Sequence, residues 1–204
     1  MLVLGAGGHA KVVIEALRAG GVAVAGVVDR QRSAPGVVGA PLIGADEDLP
    51  RLRREGLRLA IVAIGDNRLR VALGATLRGL GFGLINAISP SAEISPTAQL
   101  GEGVAVLPRS VINAEARVAD FAIINTAAVV EHDCEVGEGA HIAPGAVLTG
   151  GVSVGARTLI GANACVTPML RIGQDVTVGA GACVVAHVAA DARVAGVPAR
   201  PFGI

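Results

Sequence analysis

Imidazole is the side chain best suited to moving a proton near neutral pH, so the four histidines, His9, His132, His141 and His187, are the first candidates for chemistry. His132 has the richest neighbourhood. It stands in Asn125-Thr126-Ala127-Ala128-Val129-Val130-Glu131-His132-Asp133-Cys134, with a carboxylate on each side. A carboxylate beside an imidazole orients the ring and raises its basicity, which makes His132 a candidate general base with Asp133 as its support. The same dipeptide also serves plain turn chemistry, and both readings stand at this point. His9 falls within Gly5-Ala6-Gly7-Gly8-His9-Ala10, where it either meets a phosphate or sugar or is simply a polar residue at a helix start. His187 is expected to be an exposed tail residue.

The elements needed to position these groups divide the chain in two. Residues 1–85 read as β-α-β-α-β-α, a small Rossmann-like parallel sheet with right-handed crossovers. The strands are expected over Leu2–Leu4, Val22–Val28 and Leu57–Ile64, and the helices over Lys11–Ala19, Asp46–Glu55 and Arg68–Leu80, with residues 31–45 as a Pro/Gly-rich loop. Gly5-x-Gly7-x-x-Ala10 between strand and helix fits a turn whose free backbone N–H groups cradle phosphate, with Gly7, Gly8 and His9 at its lip. Asp29, at the end of the second strand, stands about 20 residues on, as in a dinucleotide fingerprint. A tight turn that binds nothing has the same sequence. About 85 residues is roughly half of a doubly wound dinucleotide domain, so a mononucleotide such as the diphosphate and base of a nucleotide sugar is the better-sized ligand. Gly65-Asp66-Asn67 closes the third strand, at the edge where parallel sheets bind ligands, and reads equally as a helix N-cap.

Residues 86–204 follow another rule. Every sixth residue from Ile88 to Val184 is Val, Ile or Leu, and the residue two before each is usually small, as at Ala116, Ala122, Ala128, Cys134, Ala140 and Ala146. A period of six fits neither helix nor simple alternation and is the signature of hexapeptide repeats coiling into a parallel β-helix. The expected fold class is therefore α/β followed by all-β, a left-handed β-helix with a C-terminal tail from about residue 186. Three strands per turn stack residues 18 apart. The outward residues then sort into an apolar column (Val111, Val129, Val147, Cys165, Cys183), a polar one (Arg117, Glu135, Ser153, Arg171) and a mixed one (Ala105, Ile123, His141, Leu159, Thr177). An outward apolar column calls for a partner, and three-sided prisms close naturally as homotrimers. His132 belongs to a corner and His141 to a face of the same prism. We therefore expect an active site between subunits, built from His132 of one and His141 of the next.

Composition excludes several classes. Net charge is zero, so neither nucleic acid nor an acidic membrane is an expected partner. The apolar residues are interleaved with charge, no stretch approaches the ~20 residues of a spanning helix, and the start MLVLGAGGHAK is no signal peptide. Three cysteines without framework spacing suit a reducing cytoplasm. The near absence of aromatics, three Phe with no Tyr or Trp, suits a narrow bore filled by Val, Ile and Ala.

The stretches GAGGHAKVV, IGDN and NTAAVVEHDCEVGEGAHIAPGAVLTGGVSVG, with the closing Gly196-Val197-Pro198-Ala199-Arg200, resemble the bacterial sialic-acid O-acetyltransferase type of hexapeptide acyltransferase. That group includes enzymes that N-acetylate UDP- or GDP-linked 4-amino sugars for cell-surface polysaccharides. The resemblance implies acetyl-CoA as donor, a homotrimer and no metal. It implies His132 as general base, Asp133 as its carboxylate and His141 beside the acetyl thioester, with Asn125 in the same segment. It places Gly150, Gly161, Gly179 and Ala180 along the pantetheine and nucleotide arm of the donor. Gly7, Gly8, His9, Asp29, Gly65, Asp66 and Asn67 match segments that hold the nucleotide sugar. O-acetylation of sialic acid or another free sugar is the alternative. A β-helical carbonic anhydrase would need three histidines at ligand spacing, which His132, His141 and His187 lack. A nucleotidyltransferase would need a larger first domain, and a bare scaffold would not need the His-Asp corner.

Overall fold

The structure is a computed structural model that describes residues 1–30 and 36–203, so residues 31–35 of the expected loop lie outside the described residues. The first part is a parallel five-stranded sheet in the order β3-β2-β1-β4-β5, built from β1 (Leu2–Leu4), β2 (Gly26–Val28), β3 (Leu42–Gly44), β4 (Leu59–Val62) and β5 (Gly83–Leu84). Its helices are α1 (Gly8–Ala19), α2 (Leu49–Arg54, entered through a 3₁₀ turn at Asp46–Asp48) and α3 (Asn67–Gly79).

Five strands rather than three form the sheet, because β3 and β5 are too short to show a period. The helix expected from Lys11 begins at Gly8, inside the glycine turn. The second and third strands are shorter than expected because helix ends claim their first residues. Val22 N–H donates to Leu17 O at 2.9 Å and Leu57 N–H to Leu52 O at 3.1 Å, so both residues close the preceding helices.

The second part is the coil, running from β6 (Ala87–Ile88) to a last repeat strand at Cys183–Val184. Two-residue strands pair in parallel with those 18 residues away, as in Val111↔Val129 and Val129↔Val147, and form the three walls of a left-handed β-helix. The aliphatic hexad fills the bore. Val106, Ile112, Ile124, Val130, Ile142, Leu148, Ile160, Val166 and Val178 are fully buried, each stabilising the fold by about 1.5–3 kcal/mol. Ile88 departs from the pattern and is 38% exposed, because the first rung has nothing beneath it. Each corner between walls needs one residue with positive φ, and these recur every sixth position from Gly103 to Gly181. Asp133 occupies such a position with φ 59°, a conformation that Asp tolerates better than most residues.

The top of the coil is closed, not trailing. A strand at Arg193–Ala195 pairs with the Thr177–Val178 strand and turns back into a strand at Arg200–Pro201. His187 is exposed as expected, yet it is tied to the coil: its Nδ1 accepts from Arg171 N–H at 2.9 Å.

The small domain sits on the mixed wall. Ala105 and Ile123 are buried with Val13, Ile14 and Leu17 in one apolar cluster. This explains the mixed column: its lower rungs are a docking surface, while His141, Leu159 and Thr177 above them remain only half-buried. Among the described residues no helix is long and apolar enough to cross a membrane.

Candidate active site

Three corners of the coil stack chemically distinct columns. One corner carries His132 with Gly150 and Pro168 above it on successive rungs, next to the wall of Val111, Val129 and Val147. The corner along the other edge of that wall carries Asn125, with Gly161 and Gly179 on later rungs. The third corner carries Gly139 and Arg157 and faces α3 of the small domain.

At the first corner His132 Nδ1 lies 2.7 Å from Asp133 Oδ2, and both side chains are about two-thirds exposed. The Asp133 hydrogen bond, then the charges of Asp133 and Glu131, raise the His132 pKa above its ordinary value. Glu131 itself accepts from Asn113 Nδ2 at 2.8 Å and is thereby turned along the valine wall. With Nδ1–H on the carboxylate, Nε2 is left as the proton acceptor. The ring lies over Gly150, where a Cβ would come within 2.7 Å of Cε1 and Nε2. An open cavity spreads from here, lined by His132, Asp133, Gly150, Gly151, Met169 and Arg171.

His141 occupies different ground. Its Nε2 is 2.9 Å from Asn125 Nδ2, and its ring centroid is 6.5 Å from that of His9. Asn125 Nδ2 can only donate, so the imidazole accepts on Nε2 and carries its proton on Nδ1. Burial, and next the charge of Arg70, push both His9 and His141 down to about 4, so both rings are neutral at pH 7. His9 Nε2 is buried without a hydrogen-bond partner.

Two cavities flank this pair. The first, about 320 Å³, is lined by Gly5, Gly7, Gly8, His9, Asp29 and Gly65 among others, and so joins most of the residues expected to hold a nucleotide. Gly7 provides the extended N-cap of α1 with no side-chain cap, which leaves the first amides of the helix facing the cavity mouth. Asp29 Oδ2 accepts from Ala6 N–H at 2.7 Å and so shapes the glycine turn. The second is a polar groove between the small domain and the coil, lined by Gly65, Asp66, Asn67, Arg68, His141, Arg157, Asp175 and Arg193 among others.

Asp66 is indeed the N-cap of α3, accepting from Leu69 N–H at 2.8 Å, and its loop lines the cavities as well. The Asn67 amide is taken up by the domain junction: Nδ2 donates to Arg157 O at 2.8 Å, and Oδ1 accepts from Arg70 Nη2 at 2.7 Å. Gly161 has a packing reason for its lack of a side chain, since a Cβ there would lie 2.5–2.7 Å from Val178 O, Ala180 N and Gly179 C on the next rung. Gly161, Gly179 and Ala180 therefore stand together on one corner, and Gly150 stands apart on another.

Two features escaped the sequence reading. Arg70 is almost wholly buried at the junction, and Arg157 and Arg68 both pair with Asp175, the former through two bonds of 3.0 and 2.7 Å. Both had a signal. Arg70 shares the inward stripe of α3 with Leu73 and Leu77, and Arg157 and Asp175 are 18 residues apart and stack. Among the described residues no group of three or more His, Cys, Asp or Glu is placed to hold a metal ion. His132 and His141 line different cavities.

Residues 1–77 match the PglD N-terminal domain, and residues 133–168 match the bacterial transferase hexapeptide (six repeats). Among curated proteins, an uncharacterized protein of Acanthamoeba polyphaga mimivirus is 33% identical over 98 residues, 48% of this chain, and the match spans 19% of that protein's length. Likeness to solved structures extends over the whole chain. A single-residue variant of perosamine N-acetyltransferase from Caulobacter crescentus, in complex with CoA and GDP-perosamine, is 50% identical with a TM-score of 0.98, covering 100% of this chain and 96% of that one. The acetyltransferase domain of PglB from Neisseria gonorrhoeae, in complex with acetyl coenzyme A, is 39% identical with a TM-score of 0.94, covering 98% of each chain. With such identity along its full length, the chain belongs to the hexapeptide-repeat family of nucleotide-sugar N-acetyltransferases.

Proposed function

We propose that the protein transfers the acetyl group of acetyl-CoA to the amine of a UDP- or GDP-linked 4-amino sugar, in a homotrimer whose active sites lie between subunits. One observation carries the reading: the exposed His132–Asp133 pair sits over bare Gly150, at one edge of the apolar wall whose other edge carries Asn125, Gly161 and Gly179. Closing three prisms on the Val111/Val129/Val147 wall brings the His132 corner of one chain against the Asn125 and His141 edge of the next. Within one chain His132 and His141 line different cavities.

The glycine turn and Asp29 then hold the nucleotide, and the sugar reaches past His9 toward His141. Residues 1–85 act as the nucleotide-holding unit and residues 86–204 as the transferase unit. The donor supplies an activated thioester carbonyl, with Gly150 of one chain and Gly161, Gly179 and Ala180 of its neighbour along its arm. As the amine nitrogen bonds to the carbonyl carbon and the carbon–sulfur bond breaks, the amine proton passes to His132 Nε2, Asp133 steadies the imidazolium, and that proton then neutralises the departing CoA thiolate. Neutral His141 presents its Nδ1–H as a hydrogen-bond donor. Binding energy from the remote nucleotide positions the amine, which accounts for joining a mononucleotide unit to the coil. Acetylation of a hydroxyl on a free sugar would leave the glycine-lined cavity without an occupant. The fold and the neutral, reduced composition suit an enzyme of the cytoplasm.

The test is turnover of acetyl-CoA with a panel of UDP-, GDP- and dTDP-linked 4-amino sugars, with free sialic acid as comparison. Acetylated amine on one of the nucleotide-linked sugars is expected. Turnover of the free sugar alone, with an acetylated hydroxyl, would overturn the reading.

A further inference from the structure

Arg70 is the largest fully buried side chain of the protein's described core, 1% exposed, and among the described residues no carboxylate bonds it. Its guanidinium instead spans five oxygens. Nη1 donates to Ile64 O at 2.9 Å and Gly65 O at 3.1 Å, and Nη2 donates to Asn67 Oδ1 at 2.7 Å. Across the junction, Nε donates to Phe121 O and Nη2 to Gly139 O, both at 2.7 Å. Two acceptors thus belong to the loop after β4, one to the first residue of α3 and two to turns of the coil. At the Gly139 turn the two parts approach so closely that a Cβ would lie 2.3 Å from Val71 Cγ2.

Burying a cation is costly even where its donors are satisfied, and the nearest opposite charge, Asp66, is not bonded to this one. Arg70 ties the two parts together, and what it ties is placed at the ligand cavities. Three of the five groups it holds line the ligand cavities: Ile64 and Gly65 face the glycine-lined cavity, and Gly65 and Asn67 face the groove that contains His141. We propose that Arg70 is a positioning residue for the transfer, fixing the Gly65–Asn67 loop and the coil turns at Phe121 and Gly139 as one rigid seat for the nucleotide sugar. This rests on the acetyl-transfer reading above for what the seat holds, and on the hydrogen bonds alone for the seat itself.

The same charge acts on the histidines. Arg70 adds to burial in holding His9 and His141 neutral, while Asp66 is the one charged neighbour that favours the guanidinium cation. A neutral His141 is what the Asn125 hydrogen bond requires. A seat that also helps to hold two rings neutral does more than join two domains.

Arg70→Lys keeps the charge but offers three donors from one point, which cannot span five acceptors on two sides. In the full-length protein it is expected to raise the KM for the nucleotide sugar by about tenfold or more while leaving the KM for acetyl-CoA within about twofold. Arg70→Gln removes the charge, and in an NMR titration of the imidazole resonances His9 and His141 should then titrate at higher pH than in the parent. An unchanged nucleotide-sugar KM in R70K overturns the proposal. So does an equal rise in both KM values, which would mark a general loss of structure. Unmoved histidine titrations in R70Q would remove the electrostatic part, and if that variant does not fold, the R70K comparison decides alone. Binding of GDP and UDP to parent and R70K, read by calorimetry, needs no turnover. A parent that binds either nucleotide but acetylates no nucleotide sugar would refute the functional reading, and weaker binding by R70K would still support the seat.

Discussion

Replacing Gly150 with alanine asks whether the position of the His132 ring, and not merely its presence, governs turnover. The added Cβ would lie 2.7 Å from both Cε1 and Nε2 of His132. Heavy atoms in comfortable contact sit about 3.5–4.0 Å apart, so the ring must withdraw by about 0.8–1.3 Å or rotate away. The cost to the fold is small, because the ring ends an exposed side chain and Gly150 has no positive φ to preserve. The cost to catalysis is not small. Any such withdrawal strains the 2.7 Å bond to Asp133 and moves Nε2 off the line of the attacking amine. A misplacement near 1 Å in a reacting group costs on the order of 100-fold in rate. Gly150→Ala should therefore lower kcat by about that factor while the KM for the nucleotide sugar stays within about twofold. Release of CoA thiol, followed with a chromogenic disulfide, gives the rate, and a thermal melt certifies the fold. A well-folded G150A with the parent kcat would refute the placement of His132 at the reacting atoms. A rise only in the KM for acetyl-CoA would leave Gly150 as a wall for the donor and no more.

Two predictions follow from charge. Asp133 holds the His132 pKa above its ordinary value, so the free base forms only at higher pH; Asp133→Asn should shift the acid limb of the kcat/KM profile to lower pH while lowering its plateau, and an unmoved limb would remove Asp133 from its role. His9 and His141 have depressed values near 4, so below about pH 6.5 the unfolded chain binds protons that the fold refuses. Stability should be independent of these two rings above that pH and should fall as pH drops toward 4, by up to about 1.4 kcal/mol per pH unit for each ring. Urea midpoints that stay level between pH 6.5 and 5 would contradict the buried, neutral pair.

The coil was readable from sequence because its period survives strands of two residues. One aliphatic in six fills the bore, and the rule that residues 18 apart stack is enough to place His132 on a corner and His141 on a wall. The seating of the small domain was not readable in the same way. Ala105 and Ile123 look like surface residues of a coil until Val13, Ile14 and Leu17 cover them, and no local pattern announces a contact over that separation. β3 and β5 were missed because two or three residues carry no periodicity. At the candidate site the glycine turn, Asp29 and the His-Asp corner were visible as residue types. Their division into separate cavities needed the fold. Arg70 is the instructive omission, since a charge on the buried stripe of α3 breaks the amphipathic pattern and marks the junction between the two parts.

The central claim is that His132 and His141 serve one site from two chains. Mixing tests it most directly: a His132→Ala chain and a His141→Ala chain, each nearly inactive alone, are co-expressed in equal amounts with different tags and isolated as mixed oligomers. In a mixed ring of three, one of the three shared sites regains both histidines, so about a third of the parent activity should return. Mixed oligomers as inactive as either variant would place both histidines in one chain's own site and contradict the account.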